Sequence, residues 1–199
     1  MQLQQFIDQY DFEGSIVLLE GKRNVIEEDK EKLEQLGEIL VTTTKHILFR
    51  SGNASGADFY FSKGVSRVDS KRLQVVVPYT GHRKKQNTAY NTVSLDNINL
   101  AEEPEIIYQS KKNKKTEKLI DKYVSDDRNR FAIKAAYIIR DTIKVVGSKD
   151  TPPASFAIFY DDLENPKSGG TGHTMNVCKI NGIDYVDQAV WFDWLNSAN

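Results

Sequence analysis

The stretch Asn165–Val177 (NPKSGGTGHTMNV) places three glycines, a histidine and two threonines just after an apolar run that ends in two aspartates. Small residues at a helix start leave backbone N–H groups accessible, and the positive end of the helix favours an anion there. Gly169, Gly170, Thr171, Gly172 and Thr174 therefore suit a phosphate or a ribose, with both threonine hydroxyls as donors. His173 is a candidate ligand donor or general acid. The stretch lacks the Lys-Ser/Thr ending of a Walker loop and the spacing of a dinucleotide fingerprint. Asp161 and Asp162, at the exit of the preceding run, could bind a metal, hold a ribose, do acid/base chemistry, or simply solvate a turn. With His173 they make up the catalytic candidates. No cofactor is identified, and a divalent metal stays an option that no ligand spacing supports.

Two earlier segments offer similar chemistry. Gly21-Lys22-Arg23-Asn24 follows an apolar run, so its glycine lets the backbone approach a ligand and its two cations can meet a phosphate. In Arg50-Ser51-Gly52-Asn53-Ala54-Ser55-Gly56-Ala57-Asp58, two glycines, two serines and an asparagine could build an anion-binding helix start. Arg50, Ser51, Gly52, Asn53 and Gly56 are its candidate ligand residues, while Asp58 either braces the loop or touches the ligand. Arg128, Asn129 and Arg130 open a further helix whose apolar face (Phe131, Ala135, Ile138, Ile139) should dock on a sheet, with Arg140-Asp141 as a helix-end pair. Lys111–Lys118 is a basic run beside acidic residues at 102–105, which argues for a solvated face.

Elements able to position these segments follow from the apolar pattern. Ser15–Leu19, His46–Arg50, Leu73–Val77, Ser155–Tyr160 and Ile183–Val186 read as strands, and Ile143–Gly147 as another. Helices are expected over Glu27–Thr44, after the turn SGNASGAD as far as about Gly64, over Asp127–Asp141, from the GGTGHT stretch, and over Gln188–Leu195. Residues 79–118 read as a polar, mobile insertion with at most a short strand at Glu105–Tyr108. The alternation predicts one α/β domain over residues 1–199, Rossmann-like, with a mostly parallel sheet and helices on both faces. Ligands of such sheets sit beyond the C-terminal strand ends, where the three glycine segments fall.

The 199-residue chain carries a net charge of −1, which gives no overall field for nucleic acid or an anionic membrane. Its single cysteine, Cys178, excludes an intramolecular disulfide and has no zinc-ligand spacing around it. The polar N-terminus and the lack of a long apolar window predict a cytoplasmic protein without a membrane span.

In this order, the segments resemble the SLOG superfamily, the Rossmann-like group containing the DprA/Smf and LOG phosphoribohydrolase families. EGKRN stands where those families carry a glycine-serine-arginine turn, and Ser51, Gly52, Ala54, Gly56 and Asp58 match their SG-x-A-x-G-x-D segment. DRNR at 127–130 is similar to the Arg-Asn-Arg of DprA-like proteins, and GGTGHT to the GG-x-GT loop of LOG members. VDQAVWFDWL resembles the tail of small SLOG proteins with a GGTGHT loop. The resemblance covers about residues 14–78 and 125–196. It implies a pocket for a nucleotide or nucleotide-derived ligand, in a sensor or sequestering role. LOG enzymes follow their loop with a catalytic glutamate, and Gly169–Val177 has none, so binding is expected ahead of hydrolysis of such a ligand. DprA-like single-stranded DNA binding ranks third, and nucleic acid is not expected as a partner. A homodimer is expected from SLOG relatives; the Trp191/Trp194 helix would supply aromatic surface to it or pack in the core.

Overall fold

The computed structural model describes residues 1–197 apart from 113, 115 and 126–132. Six strands form one parallel sheet in the order β4-β3-β2-β1-β5-β6. They are β1 (Ile16–Gly21), β2 (Leu48–Ser51), β3 (Leu73–Val77), β4 (Asn91–Ser94), β5 (Phe156–Tyr160) and β6 (Tyr185–Val186). The helices are α1 (Leu3–Tyr10), α2 (Glu27–Thr43), α3 (Ala57–Asp69), α4 (Pro104–Ser110), α5 (Glu117–Ser125), α6 (Ile133–Val146), α7 (Gly169–Ile180) and α8 (Gln188–Ser197). This is the Rossmann-like three-layer arrangement that the alternation predicts.

Side-chain alternation along the strands sorts the two faces. Val17, Leu19, Phe49, Phe156 and Ile158 point to a core shared with α1, α2, α3 and α8. Leu18, Ala157 and Phe159 point the other way, to α6 and α7. A further core joins Val76 of β3 to α4, α5 and α6. Trp191 and Trp194 are fully buried in the first core. Their indole nitrogens donate to the carbonyls of Phe159 (2.8 Å) and Met1 (3.0 Å), so this helix packs in the core, one of the two uses that its sequence left open.

Four parts of the chain differ from the expectation. In Ile143–Gly147 no strand forms, because Ile143–Val146 is the end of α6: Ile143 and Val145 are buried between sheet and neighbouring helices, and this packing outweighs their strand propensity. Glu105–Tyr108 is the middle of α4, started by Pro104 in its first turn. The expected loop at 79–118 instead holds β4, short 3-10 turns, α4 and the start of α5. The helix α1 went unread, although Leu3, Phe6, Ile7 and Tyr10 have helical spacing.

The chain reverses its direction of sheet growth between β1 and β5, whose C-terminal ends lie side by side. This is the topological switch point, where parallel sheets open a crevice.

Candidate functional site

Two adjoining hollows occupy this crevice. The smaller, about 200 Å³, is lined by Glu20–Arg23 from the β1 exit, Ala54 and Asp58, Arg140, Asp141 and Lys144 of α6, and Ser168–Thr171. The larger, about 890 Å³, spreads from Lys22 and Arg23 over Ile26, Tyr160, Asp161, Asp162, Leu163 and Phe192. Lys22 and Arg23 border both.

The smaller hollow is faced by the start of α7. Its N-cap residue, Ser168, makes no side-chain cap hydrogen bond. Lys22 engages that residue instead: its Nζ donates to Ser168 Oγ at 2.7 Å and to Ser168 O at 2.9 Å. The same ammonium lies 3.4 Å from Asp161. Gly169 has φ 63° and open space where a Cβ would stand. A helix start with no capping side chain leaves first-turn N–H groups for an outside acceptor, and cations beside it favour an anionic one.

The floor is ionic and buried. Lys144 Nζ lies 2.5 Å from Glu20 and 2.9 Å from Asp141, and Arg140 Nε lies 3.1 Å from Asp141. Thr174 Oγ1 donates to the other Glu20 oxygen at 2.9 Å. Burial pushes the Glu20 carboxyl up to about 7, against the pull of Lys144. Burial also opposes the charge of Asp141, yet Arg140 and Lys144 hold its carboxyl below the usual range. Lys144 is raised, its neighbours Asp141 and Glu20 outweighing its burial. A carboxyl near neutrality can hold or release a proton at pH 7, which is the chemistry expected of a general acid or base. Glu20 and Lys144 were not among the expected site residues, and Asp141 was expected only in a helix-end pair with Arg140, which does form; no local pattern shows that Glu20 meets Lys144 from 124 positions away.

The other expected ligand residues divide sharply. Gly21, Lys22, Arg23, Gly169, Gly170 and Thr171 line the smaller hollow. Ser51, Gly52, Asn53 and Gly56 do not. Gly52 is covered by Arg140, whose Nη1 donates to its carbonyl at 2.6 Å. Asn53 is buried and donates to the His82 carbonyl at 3.1 Å. Gly56, φ 82°, rests on the Lys22–Arg23 backbone. Asp58 is the brace: it accepts from the backbone of Gly21 (3.2 Å), Gly52 (3.1 Å) and Ala54 (3.3 Å).

Arg50 is not brought to the hollow either. It is fully buried beneath α6 and donates to Gln74 Oε1 (2.7 Å), Lys144 O (3.0 Å) and Pro152 O (2.8 Å). Gly172 lies against the Lys167 backbone. Thr174 serves Glu20 rather than the hollow.

Of the catalytic candidates, His173 packs between α7 and α6, its Nε2 3.0 Å from Thr142 Oγ1, and burial lowers its pKa. Asp162 Oδ1 accepts from the amides of Glu164 and Asn165 at 3.0 and 3.2 Å, an exposed turn. Asp161 is buried and accepts from Lys167 N at 2.7 Å, which fixes the approach to α7. Arg128 and Asn129 lie outside the described residues. Among the described residues, no group of three or more His, Cys, Asp or Glu is placed to hold a metal ion, and no helix is long and apolar enough to cross a membrane.

No protein-family profile matches the sequence, and no curated protein matches it. A solved structure does. DNA processing protein A from Helicobacter pylori, described for its single-stranded DNA binding mode, aligns with a TM-score of 0.55 at 14% identity, over 94% of this chain and 68% of that one. This corrects the expectation that set nucleic acid aside: a structure sharing this fold is that of a single-stranded DNA binder. The excluding reason, a net charge of −1, averages over the whole surface and says nothing of how charge is distributed at the strand ends. At 14% identity the likeness shows a shared fold.

Proposed function

We propose that the chain binds a nucleotide through its phosphate, seated at the start of α7. The observation that carries this reading is the helix start with no capping side chain, facing a hollow bordered by Lys22, Arg23 and Arg140. The larger hollow continues from the same two residues, and its Ile26, Leu163 and Phe192 give apolar surface for a base, with Asp162 beside it for ribose hydroxyls. Asp161 is a positioning residue that holds Lys22 and the turn into α7.

Calorimetric titration with adenosine monophosphate and the other nucleoside monophosphates tests this. Binding should raise the melting temperature by mass action. Lys22→Ala should weaken it about tenfold, the loss of one charge-assisted contact of about 1.4 kcal/mol. No binding by any nucleoside monophosphate, or binding untouched by Lys22→Ala, would sink the reading. Chromatography of the incubated nucleotide separates holding from cleavage; if cleavage occurs, Glu20 is the carboxyl to replace first.

A second reading is a single strand of DNA in the same crevice, supported by the fold shared with DNA processing protein A. An oligothymidylate that binds with a steep salt dependence and competes with the monophosphate would favour it.

A further inference from the structure

A second group of cations lies one strand over, where β2 and β3 end. His82, in the loop after β3, is 7% exposed, yet among the described residues neither of its ring nitrogens has a hydrogen-bond partner. Its ring meets those of Tyr79 and Tyr137 edge-on, with centroids 5.0 and 5.6 Å away. The guanidinium groups of Arg23 and Arg140 lie 5.7 and 5.6 Å from the Tyr137 centroid. Arg83 follows His82 directly, and its buried Nε has no hydrogen-bond partner among the described residues either. Among the described residues, no carboxylate lies within 4 Å of Arg23 or Arg83. Asn53 pins the loop through the His82 carbonyl.

Buried polar atoms are ordinarily paired, so two imidazole nitrogens without a partner among the described residues, beside the exposed Arg23 and the half-buried Arg83, point to a group from outside the chain. Tyr79 and Arg83 face the imidazole from its own loop, Arg23 from the β1 exit, and Tyr137 and Arg140 from α6. Burial and the charges of Arg140, Arg83 and Arg23 push the imidazole down to about 4 and keep it neutral. An anion would pair with the guanidinium groups, and His82 could then take up a proton and donate to it.

We propose that Arg23, Arg83 and His82 form a second phosphoryl-binding subsite beside the α7 pocket, so that the ligand carries two phosphoryl groups. Arg23 borders the α7 hollow as well and joins the two subsites. This deepens the nucleotide reading and rests on it for the rest of the ligand; the anion subsite stands on the geometry around His82. The second phosphoryl group can come from a nucleoside diphosphate or from the next residue of a strand.

The chain has three histidines, so His46 and His173 serve as internal controls for imidazole NMR. Titrating the protein with inorganic pyrophosphate alone should move the His82 ring resonances and raise its pKa by at least one unit. A His82 that stays unmoved at saturating pyrophosphate overturns the proposal. In parallel, adenosine monophosphate, adenosine diphosphate and the dinucleotide pApA are compared by calorimetry. At least one of the latter two should bind ten times more tightly than the monophosphate. Arg83→Gln should remove that gain and leave monophosphate binding unchanged, as should His82→Gln. A gain with the diphosphate only identifies a single nucleotide, and a gain with pApA only identifies a strand. Equal affinities for all three overturn the proposal, as does a gain that survives both substitutions. A His82 response without monophosphate binding would defeat the α7 reading and leave this one standing.

Discussion

Arg50–Asp58 and Ser168–Thr174 both leave a buried stretch through glycines and hydroxyl residues to enter a helix, and they end in opposite conditions. The first is closed by its own protein. Asp58 takes three of its neighbours' amides, the Lys22 carbonyl takes the Ala57 amide at 3.0 Å, and Arg140 covers Gly52. The second has no side chain capping its helix, and the hydroxyl that could do so is held by Lys22. Glycine and hydroxyl composition marks a loop that something approaches closely. Whether that something is protein or ligand depends on residues far along the chain: Arg140 lies 88 positions from Gly52, and Lys22 lies 146 from Ser168.

The largest test of this contrast compares one glycine from each loop. A Cβ at Gly56 would run into the backbone of Lys22 and Arg23, and its φ of 82° with ψ −133° is a glycine conformation. Gly56→Ala should cost about 4 kcal/mol, strain and overpacking together, read as a fall in the urea midpoint. Gly169→Ala has open space and should cost only about 1–2 kcal/mol for its positive φ. Equal costs would erase the distinction between a closed loop and an open one.

A smaller effect lies in the ionic floor. Glu20 is held near 7 in the fold against an ordinary 4.5, so between those values the folded protein keeps a proton that the unfolded chain has lost. This group's contribution to stability is therefore full below about 4.5 and is lost as pH rises through 7. Urea melts across that range should show the decline in wild type, and Glu20→Gln should flatten it. An unchanged slope in the variant would mean that Glu20 is ionised throughout, paired with Lys144.

The smallest effect comes from filling the open helix start. Ser168→Asp puts a carboxylate at the positive end of α7 and should add about 0.5 kcal/mol while weakening monophosphate binding. If stability rises and binding persists, the phosphate sits elsewhere.

The sequence alone conveyed the parallel α/β layout and the strand positions of Ile16–Leu19, Leu73–Val77 and Phe156–Tyr160, because apolar runs bounded by glycine or proline are local signals. It also placed GGTGHT at a helix start. It misjudged Arg50 and missed the charged floor for one reason. Alternation sets Arg50 and Glu20 on the sheet face under α6, where a carbonyl 94 positions away accepts from Arg50 and an ammonium 124 positions away pairs with Glu20, and no local pattern announces such contacts. His82 was equally silent, a polar residue in a polar stretch whose burial comes from Tyr79 and Tyr137.

Arg50 has a further consequence, for the order of folding. Its guanidinium finds Gln74 within the first three strands, but its other two acceptors belong to the end of α6 and the Pro152 turn. A partly folded state with only β1, β2 and β3 assembled leaves that charge in water, and α6 can cover it only where these carbonyls replace the water it loses. Docking of α6 supplies both missing carbonyls together. One side chain in the middle of the sheet thus ties the first half of the chain to the second, and the two halves should gain their protection from hydrogen exchange together.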